Sequence, residues 1–145
     1  MSGKSNDIKD LLDYAAGEGE GGPIAFDFSR FIIEPDRYAE AGGRGRLWER
    51  WGTNSNAMDA VLDAEHPYCP HDDDGGDDHR AVKFNFSTKW SPPIPVVLSA
   101  ARRFRSLRFS MEYYEAGMRF HGRFTCEAGR PVEDLVGEYF GLRGG

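Results

Sequence analysis

The apolar positions along this chain change period several times, and those changes outline its elements. Between residues 6 and 16, Ile8, Leu11, Leu12 and Ala15 recur at helical spacing, with Asn6 or Asp7 suited to the N-cap, and the glycine-rich stretch 17–22 ends the pattern. Residues 1–22 therefore read as a lead helix on a flexible hinge. In PIAFDFSRFII, residues 23–33, Ile24, Phe26 and Phe28 alternate with Ala25, Asp27 and Ser29, which predicts a first strand. The run of Phe31, Ile32 and Ile33 that closes it suggests a bulge or twist. Pro35 opens a helical stretch through Tyr38, Ala39 and Ala41. The glycines at 42, 43 and 45 interrupt it before Leu47, Trp48 and Trp51 resume an apolar face.

Residues 56–63 read as a strand leading into a loop over 64–79, where Pro, Gly and Asp are frequent and no apolar face recurs. Residues 81–87 give the cleanest strand, with Val82, Phe84 and Phe86 on one face and Lys83, Asn85 and Ser87 on the other. The prolines after Trp90 start a helix whose inner face carries Ile94, Val97, Leu98, Ala101 and Phe104. Two alternating segments, 107–114 and 118–126, flank a Glu-Ala-Gly turn and form a hairpin. From Pro131 a last amphipathic helix is expected, with Val132, Leu135, Val136 and Tyr139 inward and Gly141 ending it. The order is that of an α+β ferredoxin-like βαββαβ sandwich with an extra hairpin strand and terminal helices, residues 23–145 forming one domain.

Charge changes this picture by its distribution. The net charge is −6, yet residues 1–79 hold 7 basic and 18 acidic side chains against 11 and 6 in residues 80–145. A polyanion is repelled by the molecule as a whole, so nucleic-acid binding would need a local patch, whereas the acidic half favours basic partners. The length of 145 residues is that of one domain able to bury a core without staples. No stretch is apolar enough for a bilayer span or a signal peptide, which leads us to expect a cytoplasmic protein, and Cys69 and Cys126 are expected as free thiols.

Two segments stand out, WGTNSNA at 51–57 and TKWSPPIP at 88–95, each with an aromatic, a Gly or Pro and small polar residues where periodic structure begins. Together with FNFSTKWSPPIPVVLSAARRF and LRFSMEYYEAGMRFHGRF, they make residues 24–126 resemble the ferredoxin-like domain of the YubB-like family of phage and plasmid proteins. Relatives typically read Trp-Gly-Thr-Lys-Trp-Asn in the first segment, and Asn54 and Ser55 stand here in place of the Lys and the second Trp. The resemblance implies a ferredoxin-like fold and a mobile-element context. It brings no reaction with it.

Candidate chemistry is sparse. His66, Cys69, His71 and His79 offer four borderline-soft ligands, but their spacing matches no familiar zinc module, and the row Asp72, Asp73, Asp74, Asp77 and Asp78 lacks the ligand pattern of an EF-hand. A solvated acidic loop is preferred for both, and no metal or cofactor is assigned. Trp51, Thr53, Asn56, Thr88, Lys89 and Trp90 could together hold a small polar ligand or a nucleobase, or else plug the core edge and bond to turn backbone. Glu112, Glu115 and His121 could do acid and base work, but no nucleophile with a base is evident, so no enzyme is expected.

Two functions follow as expectations. One is a non-enzymatic inhibitor of a host defence complex, of anti-CRISPR type, in which Asp59, Asp63, Glu65, Asp72, Asp73, Asp74, Asp77 and Asp78 enter a basic nucleic-acid groove. The alternative is an accessory protein that binds nucleic acid through Lys83, Trp90, Arg102, Arg103, Arg105 and Arg108.

Overall fold

The chain opens on a short strand, β1 (Ser2–Lys4), and turns at once into the first helix, α1 (Ser5–Ala15). The computed structural model describes residues 1–33, 43–63 and 79–141. Ile8, Leu11 and Ala15 are buried along one stripe of α1, as their spacing predicts. The cap is not Asn6 or Asp7. Because residues 2–4 are committed to a ladder, the helix begins directly after them, with Lys4 at the N-cap position and Asp7 in the first turn near the positive end of the dipole.

The strand expected over residues 23–33 is cut short. Only β3 (Gly22–Ile24) is extended, paired with β2 (Gly17–Gly19), and the chain then bends into a 3₁₀ turn at Phe28–Arg30. Asp27 accounts for the bend, since its carboxylate accepts hydrogen bonds from Ser29 N at 3.0 Å and Ser29 Oγ at 2.8 Å, local bonds that compete with a ladder. The alternation marks burial only in part, for Phe26 and Phe28 lie in the core but Asp27 between them is buried as well. The helical stretch expected from Pro35 to Ala41 lies outside the described residues. In α2 (Gly43–Trp51), Leu47 and Trp51 are buried one turn apart, while Trp48 faces outward.

The remaining elements are β4 (Met58–Asp63), β5 (His79–Ala81), β6 (Lys83–Ser87), α3 (Ile94–Arg103), β7 (Phe109–Glu115), β8 (Phe120–Glu127) and β9 (Arg130–Glu138). The face of α3 is rotated from the expected one, with Val96, Val97, Ala100 and Ala101 fully buried and Ile94, Leu98 and Phe104 packed at its margin. The closing helix expected from Pro131 is instead the strand β9. Ala128 and Gly129 both have positive φ, 51° and 74°, and form the two-residue turn between paired Glu127 and Arg130 that sends the chain back along β8. Val132, Leu135 and Val136 are then 57%, 58% and 69% exposed on an edge strand, not inward. Pro131 is tolerated there because an edge needs no further amide donor, and the ladder is irregular beside it at Thr125 and Cys126.

Among the described residues all the ladders are antiparallel: β1 with β5, β2 with β3, β4 with β6, and β7–β8–β9 in a row. β1 also bridges to Arg108 at the head of β7, so it spans both halves of the molecule. Ile8 and Leu11 of α1 and the buried face of α3 pack with Leu107, Phe109, Phe124 and Cys126. A second cluster gathers Ala15, Phe26, Phe28, Leu47, Trp51, Ala57 and Val96, and Met1, Phe31 and Phe84 touch both. Cys126 is a buried free thiol, and burial pushes its pKa up, so it behaves as a core side chain. Among the described residues no helix is long and apolar enough to cross a membrane.

The contrast between core and edge is testable by urea denaturation. Phe109→Ala is expected to cost about 3–5 kcal/mol and Leu135→Ala within about 0.5 kcal/mol. A packed closing helix would instead make the second substitution cost about 2–5 kcal/mol.

Candidate binding cleft between two strand edges

The two conspicuous segments meet in space and are stitched together through backbone. Thr53 Oγ1 donates to Lys89 O at 2.8 Å and Asn54 N donates to the same oxygen at 2.7 Å, while Lys89 N donates to Ser55 Oγ at 3.0 Å. Ser91 Oγ donates to Gly52 O at 2.5 Å, and Thr88 Oγ1 donates to Ser91 O at 2.8 Å. Gly52 has φ 76° and lies against Pro95, so a side chain there would meet both a strained backbone and a collision. The peptide between Lys89 and Trp90 is cis.

Asn56 ties this clasp to the aromatic core. Its Oδ1 accepts from Phe28 N and Ala57 N, both at 2.9 Å, and its Nδ2 donates to Asp27 Oδ1 at 2.8 Å. Trp51 Nε1 donates to Ile32 O at 2.9 Å, and its ring meets Phe28 edge-on. Trp51 and Thr53 are fully buried, and their polar atoms bond to backbone. The clasp thus holds the end of β6 and the start of α3 in place, and these residues act from behind the surface rather than on it.

In front of the clasp runs a cleft of about 890 Å³ between β6 and β7. Phe26, Val97 and Phe109 contribute its apolar lining, and Met1 stands at one end. Of the residues suggested for ligand or nucleic-acid contact, Lys83, Thr88, Lys89 and Trp90 line it, the last 64% exposed; Glu112 and Glu115 line the opposite wall. Glu112 is held by Arg123 Nη2 at 2.6 Å, and Glu115 Oε1 accepts from Gly117 N at 2.6 Å in the hairpin turn. His121 lies across the ladder from Tyr114 on β8 and is not part of the cleft. These carboxylates are bound up in structure, and no described histidine joins them. Tyr113, in the same wall, has its pKa raised by burial and by the charge of Asp134.

A family model for the ferredoxin-like domain in Api92-like proteins matches residues 68–140. The chain belongs to that family. The matched region contains β5, β6, α3, β7, β8 and β9, and hence both walls of the cleft. Searches of curated proteins and of solved structures returned no match.

In this member of the Api92-like family the suggested arginines lie apart from the cleft. Arg108 pairs with Glu127 at 3.0 Å, Arg103 lies 3.9 Å over the ring of Tyr14, and Arg105 Nε donates to Ala128 O at 3.4 Å. Arg102 is on the exposed face of α3. Asp59 and Asp63 stand on β4, Asp59 at the cleft margin with φ 52° where the β4–β6 register shifts. Glu65, Asp72, Asp73, Asp74, Asp77 and Asp78 lie outside the described residues, as do His66, Cys69 and His71. His79 opens β5, opposite Lys4. Among the described residues no cluster could hold a metal ion.

Sequence reasoning missed Met1. Its ammonium donates to Val82 O at 2.8 Å and Val82 N donates to Met1 O at 2.8 Å, so the terminus acts as a ladder residue. Burial pushes the amine below its ordinary value of 8.0. The unfolded chain therefore binds more protons between the two values, and folding stability should rise with pH through that window up to about 8. Urea titrations from pH 6 to 9 should show this rise, and Nα-acetylated protein should lack it.

Proposed function

We propose that this protein is a non-catalytic interaction protein of a YubB-like, phage- or plasmid-borne kind. In this reading it inhibits a host defence complex by presenting carboxylates to a basic nucleic-acid groove. The observation that carries it is the anchoring of the acidic segment. Residues 64–78 contain Glu65, Asp72, Asp73, Asp74, Asp77 and Asp78, and the flanking residues are fixed in ladders: Asp63 opposite Lys83, and His79 opposite Lys4. β5 leads through Val82 directly into β6, the partner of β4, so the ends of the segment are attached to two successive ladders. Asp59 and Asp63 on β4 extend the negative charge toward the folded body. Clustered charge of this sign speeds encounter with a basic partner and raises the salt sensitivity of binding.

The arginine alternative has weaker support. Arg108 and Arg123 are already paired with Glu127 and Glu112, and Glu133 of β9 lies 3.8 Å from Arg123 as well. A phosphate backbone approaching that sheet would meet carboxylates first.

Replacing Asp72, Asp73, Asp74, Asp77 and Asp78 together by Asn should leave thermal stability and circular dichroism unchanged. Capture of a nucleic-acid-binding defence complex from nuclease-treated host extract should fall at least about tenfold, because electrostatic steering is lost. Retention of full capture or inhibition by the variant would refute the acidic-surface reading.

A further inference from the structure

A strand at an edge leaves main-chain N–H and C=O groups without partners, and such groups are where another strand can add. The cleft has them. Val82 and Arg108 bond to Met1 and Ser2, which turns the groups of Phe84, Phe86, Ser110 and Glu112 into the gap, and among the described residues no hydrogen bond reaches these. The outer edge of β9 has them too, since among the described residues β9 pairs with β8 alone. Tyr139 N donates to Arg119 O at 2.8 Å in continuation of the β8–β9 register, so Glu133, Leu135 and Gly137 bond inward to β8. Alternation turns the main-chain groups of Asp134, Val136 and Glu138 outward.

From Glu133 to Glu138 the β8–β9 ladder is regular and β9 holds no lysine or proline, the usual guards of an open edge. Pro131 and the irregularity at Thr125 and Cys126 guard only its start. Asp134, Val136 and Glu138 share a face with Phe124, Gly122 and Phe120 across the ladder, and Glu133 and Leu135 share the other with Thr125 and Arg123. Leu135 and Val136 are exposed, Arg123 stands 3.8 Å from Glu133, and among the described residues no ion pair holds Asp134 or Glu138. We infer that this edge takes up an extended basic segment of a partner protein, which becomes the fourth strand of the meander. Followed antiparallel to β9, from Glu138 back to Glu133, the edge selects basic, neutral, apolar, apolar, basic and basic side chains in that order. The first, third and fifth residues of the segment exchange main-chain bonds with Glu138, Val136 and Asp134.

Charge selects this occupant over others. A second copy would set carboxylate against carboxylate. A two-fold register centred on Asp134 opposes that residue to itself, one centred on Val136 opposes Asp134 to Glu138, and one centred on Leu135 leaves Asp134 diagonal to Asp134 and Glu138 of the copy. A nucleic-acid backbone is repelled for the same reason. A basic strand instead meets opposite charge at Asp134 and Glu138, covers Leu135 and Val136 with its own apolar residues, and satisfies the open amides and carbonyls. β9 contains none of the acidic segment between β4 and β5, so the inference goes beyond the inhibitor reading and does not require it.

The test is titration of the isotope-labelled full chain with the peptide acetyl-Lys-Thr-Val-Ile-Lys-Lys-amide, followed residue by residue by NMR. The expected result is saturable binding that protects the amides of Asp134, Val136 and Glu138 from exchange and weakens with salt. N-methylation of the third and fifth peptide residues should abolish it, whereas N-methylation of the second and fourth, whose amides point away from β9, should not. Asp134→Asn together with Glu138→Gln, both on the exposed edge, should weaken it at least about fivefold. No binding at about 1 mM peptide, equal effects of the two methylation patterns, or full affinity in the double variant would overturn the inference. So would protection of the same three amides without peptide that grows with protein concentration, since a second copy would then hold the edge.

Discussion

Four backbone hydrogen bonds at the very start of the chain hold the molecule's two halves in one arrangement. Met1 and Val82 exchange one pair, and Ser2 and Arg108 exchange the other. The first fixes the strand that leads from β5 into β6, and the second fixes the head of the β7–β8–β9 meander. Such pairs each contribute only about 1 kcal/mol net, but their geometry sets how far apart the two sets of ladders stand. The spacing they impose is that of one intervening strand, since neighbours lie about 4.8 Å apart on each side. The cleft is the continuation of that gap.

Everything behind the gap is fastened by side chains bonding to backbone. Asn56 joins the start of the 3₁₀ turn to the residue before β4 and binds Asp27 as well, so one amide organises a buried polar point among aromatic rings. The WGTNSNA and TKWSPPIP segments resemble a ligand site in composition because the same residue types serve a clasp: hydroxyls and an amide that reach carbonyls, a glycine at positive φ, and prolines that start a helix. Only the TKWSPPIP side of the clasp also faces the cleft, through Thr88, Lys89 and Trp90.

The parts of the fold legible in the sequence are those with a long, unopposed period. The stripe of α1, the presence of α3, the alternation of β6 and the β7–β8 hairpin follow directly from spacing, whereas the buried face of α3 is rotated from the expected one. The α+β class and ferredoxin-like domain follow from their order and from the family match. Three features are not legible. β1 is three residues long and of no marked β-propensity, and it forms because both flanking strands offer bonds to it. Asp27 breaks an otherwise good strand pattern by bonding to Ser29. Val132, Leu135 and Val136 satisfy a helical period, but the Ala128–Gly129 turn commits the chain to a strand before that period can act. Of the cleft residues, Thr88, Lys89 and Trp90 are legible as one segment and Lys83 only as part of the arginine alternative, whereas Met1 carries no sequence signal at all.

The central claim is that two strand edges face each other unpaired beyond Met1, and amide hydrogen exchange of the chain read residue by residue by NMR tests it most directly. Along β6 and β7 the account predicts a two-residue alternation: fast exchange at Phe84, Phe86, Ser110 and Glu112, and slow exchange at the neighbouring Asn85, Phe109 and Met111, whose amides lie within ladders. Uniform protection along both strands would contradict it, because the facing groups would then be hydrogen-bonded.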